Sequence, residues 1–251
     1  MLADLADLAD PFRSGLTVPS SVDLSAIVVG ALSGGLLAAR ERFAVTGVLL
    51  LAFVSGLGGG LIRDVLLGVG TPVALTDRLY LPVVSVTALV AFFFAGWLAR
   101  LNPLLVVLDA LALGLFTVVG AEKADLFGLP GASVVFLGVA TAVGGGFIRD
   151  LILGQVPDIA RPGTVNAFAA LLGAVLLVTI KRVADVPAGC ADLVTIVFVT
   201  GLRLLAVWRG WQISGPIDLS RRLPDLAPLA RTRVRTLRPR RRRSRMTRPD
   251  R

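Results

Sequence analysis

The segment Gly-Gly-Gly-x-x-Arg-Asp occurs twice, as Gly58-Gly59-Gly60-Leu61-Ile62-Arg63-Asp64 and as Gly144-Gly145-Gly146-Phe147-Ile148-Arg149-Asp150. Each copy lies inside a long apolar run, and the two are 86 residues apart. Glycine weakens a helix by roughly 1 kcal/mol against alanine, and ionised side chains are costly in hydrocarbon. A chain that carries both defects twice, in register, is expected to use them. The expectation is a broken helix in each copy, because freed backbone groups are tolerated at membrane depth only inside protein or facing a water-filled path. Close helix packing through small residues is the competing explanation.

The rest of the chain supports a membrane setting. Hydrophobic residues make up 55% of it, and its mean hydropathy is +0.81; soluble domains run nearer about 45–50% apolar. The net charge of +9 comes from the C-terminal end, where residues 209–251 hold 14 Arg against Asp218, Asp225 and Asp250. There is no histidine, and Cys190 is the single cysteine. That excludes His-based acid–base catalysis, His/Cys zinc sites and an intrachain disulfide. No nucleophile–base pair emerges, so no enzyme and no cofactor are expected. Met1 to Arg13 carries Asp4, Asp7 and Asp10 and lacks the positive start of a secretory signal, so the first apolar segment is expected to stay as a span.

A spanning helix needs about 20 mostly apolar residues. Seven candidates fit: Leu24–Ala39, Val45–Val69, Leu79–Ala99, Leu104–Ala121, Ala132–Gly154, Val165–Ile180 and Ala191–Val207. Sliding the chain on itself by 86 residues aligns Asp23–Gly68 with Asp109–Gly154, matching Asp23 to Asp109 and Gly34 to Gly120. Spans one to three therefore repeat as spans four to six. An odd number of spans per repeat sends the second copy in from the opposite side, the inverted plan of many transporters and channels. The fold class is thus an all-α polytopic membrane protein of seven transmembrane helices, two inverted three-helix repeats plus a seventh helix. The divisions are an acidic segment over 1–22, repeats over 23–100 and 101–183, the seventh helix over 184–211, and a basic tail over 212–251. Expected to be disordered, that tail suits anionic lipid. The positive-inside rule places it in the cytoplasm of a bacterial inner membrane, with the N-terminus outside.

Charged residues in or near spans are the candidate site. Arg63, Asp64, Arg149 and Asp150 follow the triplets by one helical turn. Neighbours along a helix do not face one another, so the expected pairs are Arg63 with Asp150 and Arg149 with Asp64, across the repeat axis. Asp23 and Asp109 open spans one and four, as N-terminal caps or interfacial carboxylates that favour the helix dipole, or as cation-attracting groups at a pore mouth. Glu122 and Lys123 close span four; Lys123 either enters the path or snorkels to the surface. Arg203 lies within span seven and should face protein, not lipid.

On the duplicated motif, Leu108–Phe116, Gly120-Ala121-Glu122-Lys123-Ala124, Thr141–Pro157 and Arg203-Leu204-Leu205-Ala206, the chain resembles the bacterial glycine-transporter-domain family, related to the trimeric intracellular cation channels. The resemblance covers about residues 23–211 and leaves out the acidic start and the basic tail. It implies a homotrimer whose protomers each hold a pore bounded by spans one, two, four and five. Spans two and five would kink at their triplets. It also implies conduction of monovalent cations, chiefly potassium, past the carbonyls of Gly58–Gly60 and Gly144–Gly146. The alternative is a secondary transporter of glycine or another small amino acid, because a broken inverted pair serves both.

Overall fold

The computed structural model describes residues 20–98, 102–160, 165–183 and 187–211. These belong to one compact unit, Met1–Ile213; the second unit, Ser214–Arg251, lies outside the described residues, as do Asp4, Asp7, Asp10, Arg100 and Arg161. Seven long helices follow in order: α1 Ser20–Arg40, α2 Val45–Leu67, α3 Tyr80–Leu98, α4 Asn102–Leu126, α5 Gly131–Ile152, α6 Asn166–Val183 and α7 Ala188–Arg209. A single turn, Val73–Thr76, sits between α2 and α3, and a short 3-10 turn, Asp158–Ala160, between α5 and α6. The two stand at matching places in the two repeats. Six of the helices are long and apolar enough to cross a bilayer, and α3 is a further apolar one.

Which helix ends meet shows the inversion directly. The start of α1, the end of α2, the start of α3 and the end of α4 share one face, joined by Tyr80–Asp23 and Lys123–Asp64 hydrogen bonds. The start of α4, the ends of α5 and α7 and the loop before α6 share the opposite face, joined through Asp109 and Asp150. The first repeat therefore begins where the first helix of the second ends. Helices α1, α2, α4 and α5 pack on one another at the centre, α3 flanks the first pair, and α6 and α7 flank the second.

The glycine triplets serve packing at this centre. Both α2 and α5 run through their triplets as unbroken helix, so the expected break is absent. The backbones touch instead. A Cβ on Gly58 would stand 3.2 Å from the Gly145 Cα, one on Gly145 would stand 2.8 Å from the Ser55 carbonyl oxygen, and one on Gly59 would collide with the Thr141 carbonyl oxygen. The loss in helix propensity is offset by a backbone-close crossing, the gain that small residues give where water supplies no hydrophobic drive. The same logic repeats within each half. Gly34 of α1 lies against Leu51 and Ser55 of α2, and its counterpart Gly120 of α4 lies against Leu137 and Thr141 of α5.

The third glycine differs: a Cβ on Gly60 would meet only the Arg63 side chain, at 3.7 Å. Gly59→Ala should therefore lower stability by about 1–3 kcal/mol through overpacking, while Gly60→Ala leaves it unchanged or raises it. Unfolding of the two purified variants in detergent, beside the parent, checks the contrast.

Candidate functional site

Each repeat builds one buried charge cluster, and the clusters lie on opposite faces. On the first face, Arg63 Nε donates to Asp64 Oδ1 at 2.8 Å, and Lys123 Nζ donates to the same oxygen at 2.7 Å. Arg63 Nη1 also stands 3.7 Å from Asp23 Oδ1, while the Tyr80 hydroxyl donates to Asp23 Oδ2 at 2.5 Å. The remaining oxygen of Asp64 accepts the backbone N–H of Val73 at 2.9 Å, tying the chain after α2 back onto it. Arg63 and Asp64 are almost wholly enclosed, 2% and 1% exposed.

The second face repeats the pattern with the counterparts. Arg149 Nε donates to Asp150 Oδ1 and Arg149 Nη1 to Asp109 Oδ1, both at 3.1 Å. Asp150 Oδ2 accepts the backbone N–H of Asp158 at 3.0 Å, as Asp64 does from Val73. Arg203 of α7 binds the other oxygen of Asp109, and Ser33 of α1 lies 3.3 Å from Asp109 Oδ1.

Several expectations are corrected here. The cross-axis pairs Arg63–Asp150 and Arg149–Asp64 do not form. Each arginine hydrogen-bonds its own sequence neighbour and pairs by charge with the aspartate at the start of its own repeat, because a guanidinium on a long stem reaches sideways where a short side chain cannot. Asp23 is not a helix cap: α1 begins three residues earlier, and the carboxylate serves Tyr80 and Arg63. Asp109 does not open α4, which starts at Asn102 and carries Asp109 two turns inward. Helix α4 also runs on to Leu126, so Glu122 and Lys123 are interior residues pointing different ways. Lys123 does not snorkel; it is buried on Asp64. Glu122 binds Lys181 of α6 instead. Arg203 faces protein. The carbonyls of Gly58–Gly60 and Gly144–Gly146 stay within continuous helix.

Each cluster holds two carboxylates and two cations: Asp23, Asp64, Arg63 and Lys123 on one face, and Asp109, Asp150, Arg149 and Arg203 on the other. The repeat brings three of the four each time, two of them from the duplicated motif. The fourth breaks the symmetry, since Lys123 lands on the motif aspartate and Arg203 on the early one. Tyr80 has Asn166 as its counterpart at the same 86-residue offset, and Asn166 bonds Asp158 instead of the early aspartate. Residue spacing already holds the Tyr80–Asn166 pairing, but nothing in the sequence marks either as a partner.

A cavity lies on the second-face side. It is lined by Asp109, Arg149, Asp150 and Arg203, reaches Ser33, Ser55 and Gly145 at the helix crossing, and has Ile159 of the α5–α6 loop at its rim. The Ser55 hydroxyl, buried against Gly34 of α1, has no hydrogen-bond partner among the described residues.

With this geometry in hand, comparison with known proteins is direct. The family described as Glycine transporter matches residues 20–96 and again 106–182, one match on each half. The chain belongs to this family. A UPF0126 membrane protein of Deinococcus radiodurans is 44% identical over 154 residues, 61% of this chain and 72% of the relative. The UPF0126 inner membrane protein YadS of Escherichia coli K12 is 34% identical over 196 residues, 78% of this chain and 93% of the relative. Among solved structures, a TRIC trimeric intracellular cation channel orthologue from Rhodobacter sphaeroides superposes with a TM-score of 0.70 at 33% identity, covering 75% of this chain and 96% of that one. A second, from work on conductance through TRIC cation channels, has a TM-score of 0.70 at 31% identity, covering 80% and 98%. This glycine-transporter-family chain is a multi-pass membrane protein and not an enzyme.

Breaking a buried ion pair from one side costs about 3–5 kcal/mol. Asp109→Asn should show a loss of that order, and adding Arg203→Met should restore part of it. A double-mutant cycle on unfolding in detergent should give a coupling of about 1–3 kcal/mol for Arg203 with Asp109, and under about 0.5 kcal/mol for Arg63 with Asp150.

Proposed function

We propose that the protein is a monovalent-cation channel, chiefly for potassium, that assembles as a homotrimer with one conduction path in each protomer. The path runs between α1, α2, α4 and α5, past both charge clusters. The observation that carries this reading is the cavity: it is lined by Asp109, Arg149, Asp150 and Arg203 and reaches Gly30, Ser55 and Gly145 beside the α2–α5 crossing. Cations would enter past Asp109 and Ser33, which line the space. Arg149, Asp150 and Arg203 shape the field there, and Gly145 and Gly146 leave the room. The triplets Gly58–Gly60 and Gly144–Gly146 act as the pivot of the crossing rather than as carbonyl ligands. On the first face, Lys123 on Asp64, with Arg63, Asp23 and Tyr80, closes the path in this conformation. Glu122 stands beside the path, engaged with Lys181. The relatives described as cation channels, and the trimer named for one of them, support the reading.

The inverted repeat and the basic tail complete the proposal. The protein sits in a bacterial inner membrane with the first face outward and the C-terminal tail in the cytoplasm, near anionic lipid. A cavity open beside one cluster, with the other cluster closed, also suits a transporter that alternates between faces. The family description favours glycine as the cargo in that second reading.

Planar-bilayer recording of the purified protein in a potassium chloride gradient separates the two. The channel reading expects discrete currents that reverse near the potassium potential, fall in Asp109→Asn, and gain open time in Lys123→Met. A silent bilayer together with saturable glycine uptake into liposomes would move the assignment to transporter.

A further inference from the structure

A third charged group lies on the first face, outside both clusters, where α4 ends, α6 ends and α7 begins. Glu122 and Asp125 come from α4, Lys181 from α6 and Asp192 from α7. Glu122 and Asp192 are 7% and 6% exposed. Lys181 Nζ donates to Glu122 Oε2 at 2.6 Å and to Asp125 Oδ2 at 3.4 Å. The Asp192 and Glu122 carboxyl groups lie within hydrogen-bonding reach of each other. Among the described residues, Asp192 Oδ1 is enclosed with no hydrogen-bond donor, while Lys181 Nζ stands 2.6 Å from both Glu122 oxygens.

This group differs from the other two in its charge. They balance two carboxylates with two cations, whereas here, among the described residues, three carboxylates face one lysine. Of the nearby cations, Lys123 is committed to Asp64, and the Arg182 guanidinium lies over Gly131 at the start of α5. Two ionised carboxylates enclosed side by side repel, and Asp192 Oδ1 has no donor. One proton removes both defects. It would lie on Asp192 Oδ1 and donate to the Glu122 carboxylate, leaving a single negative charge in the buried pair for Lys181.

We propose that Glu122 and Asp192 form a proton-binding carboxyl pair that fastens the start of α7 to the end of α4. The site is independent of the conduction reading, but its placement bears on it. Helix α7 carries Arg203 to Asp109 in the cavity, and α4 carries Lys123, next to Glu122, to Asp64. The bound proton therefore holds together the two helices that supply the fourth member of each charge cluster.

Infrared spectroscopy of the full-length protein in lipid reads this directly, whether or not the protein conducts. The carbonyl stretch of a protonated carboxyl group should be present at neutral pH and lost in Asp192→Asn. In that variant the amide N–H takes over the donation to the Glu122 carboxylate, so folding should be kept. Glu122→Gln should remove the same band, and serves if the first variant does not fold. A band absent from the parent, or left unchanged by both substitutions, overturns the proposal. So does an absent band accompanied by potassium- or sodium-dependent thermal stabilisation that Asp192→Asn abolishes, which would put a metal cation at the site instead.

Discussion

Charge placed in an apolar bundle must be matched at close range, and much of this structure follows from that constraint. An isolated ion at membrane depth costs several kcal/mol even on the most lenient scales. A neutral set of interlocked ions avoids most of it while leaving fixed dipoles inside the protein. Each repeat meets the constraint with Asp, Arg and Asp in one cluster, which leaves one cation wanting. The deficit is filled from outside the repeat, by Lys123 of α4 for the first cluster and by Arg203 of α7 for the second. Helix α7, which has no partner in the repeat pattern, thus gains a physical reason to be there.

The same constraint orders the packing. For Arg63 and Arg149 to reach both aspartates of their own repeats, α1 must lie tightly on α2 and α4 on α5. Gly34 and Gly120 make that possible by removing the side chains that would hold the backbones apart. The pairs must then meet each other, and they do so at Gly58, Gly59, Gly144 and Gly145. Glycine is used here for closeness and not for a break. The helix hydrogen bonds survive because nothing at the crossing draws them away.

Asymmetry between the halves is where function would reside. Tyr80 bonds Asp23 on one face, while its counterpart Asn166 leaves Asp109 to Arg203, Ser33 and the cavity. A phenol spans the gap to the early aspartate; a shorter amide turns to Asp158 in the adjacent loop. Two faces built from one pattern therefore differ in openness through a few side chains rather than through a different backbone.

The fold was legible in the chain to a high degree. Apolar runs of spanning length and a self-match at an 86-residue offset suffice for seven helices and an inverted repeat, because hydrocarbon forces the backbone to satisfy its own hydrogen bonds. Arg203 facing protein follows from the same cost argument. The partners did not follow. Arg63 with Asp23, Lys123 with Asp64, and Asp192 with Glu122 join residues 40, 59 and 70 positions apart, and helical spacing says nothing about which faces of separate helices meet. Nor could glycine-rich sequence choose between a broken helix and a close crossing, since both begin from the missing side chain. The sequence by itself determined the spans, their reversal and the charges that must be buried. Only the tertiary structure decided which charges meet, because pairing depends on helix rotation and depth, and those are set by the shapes that pack between the helices.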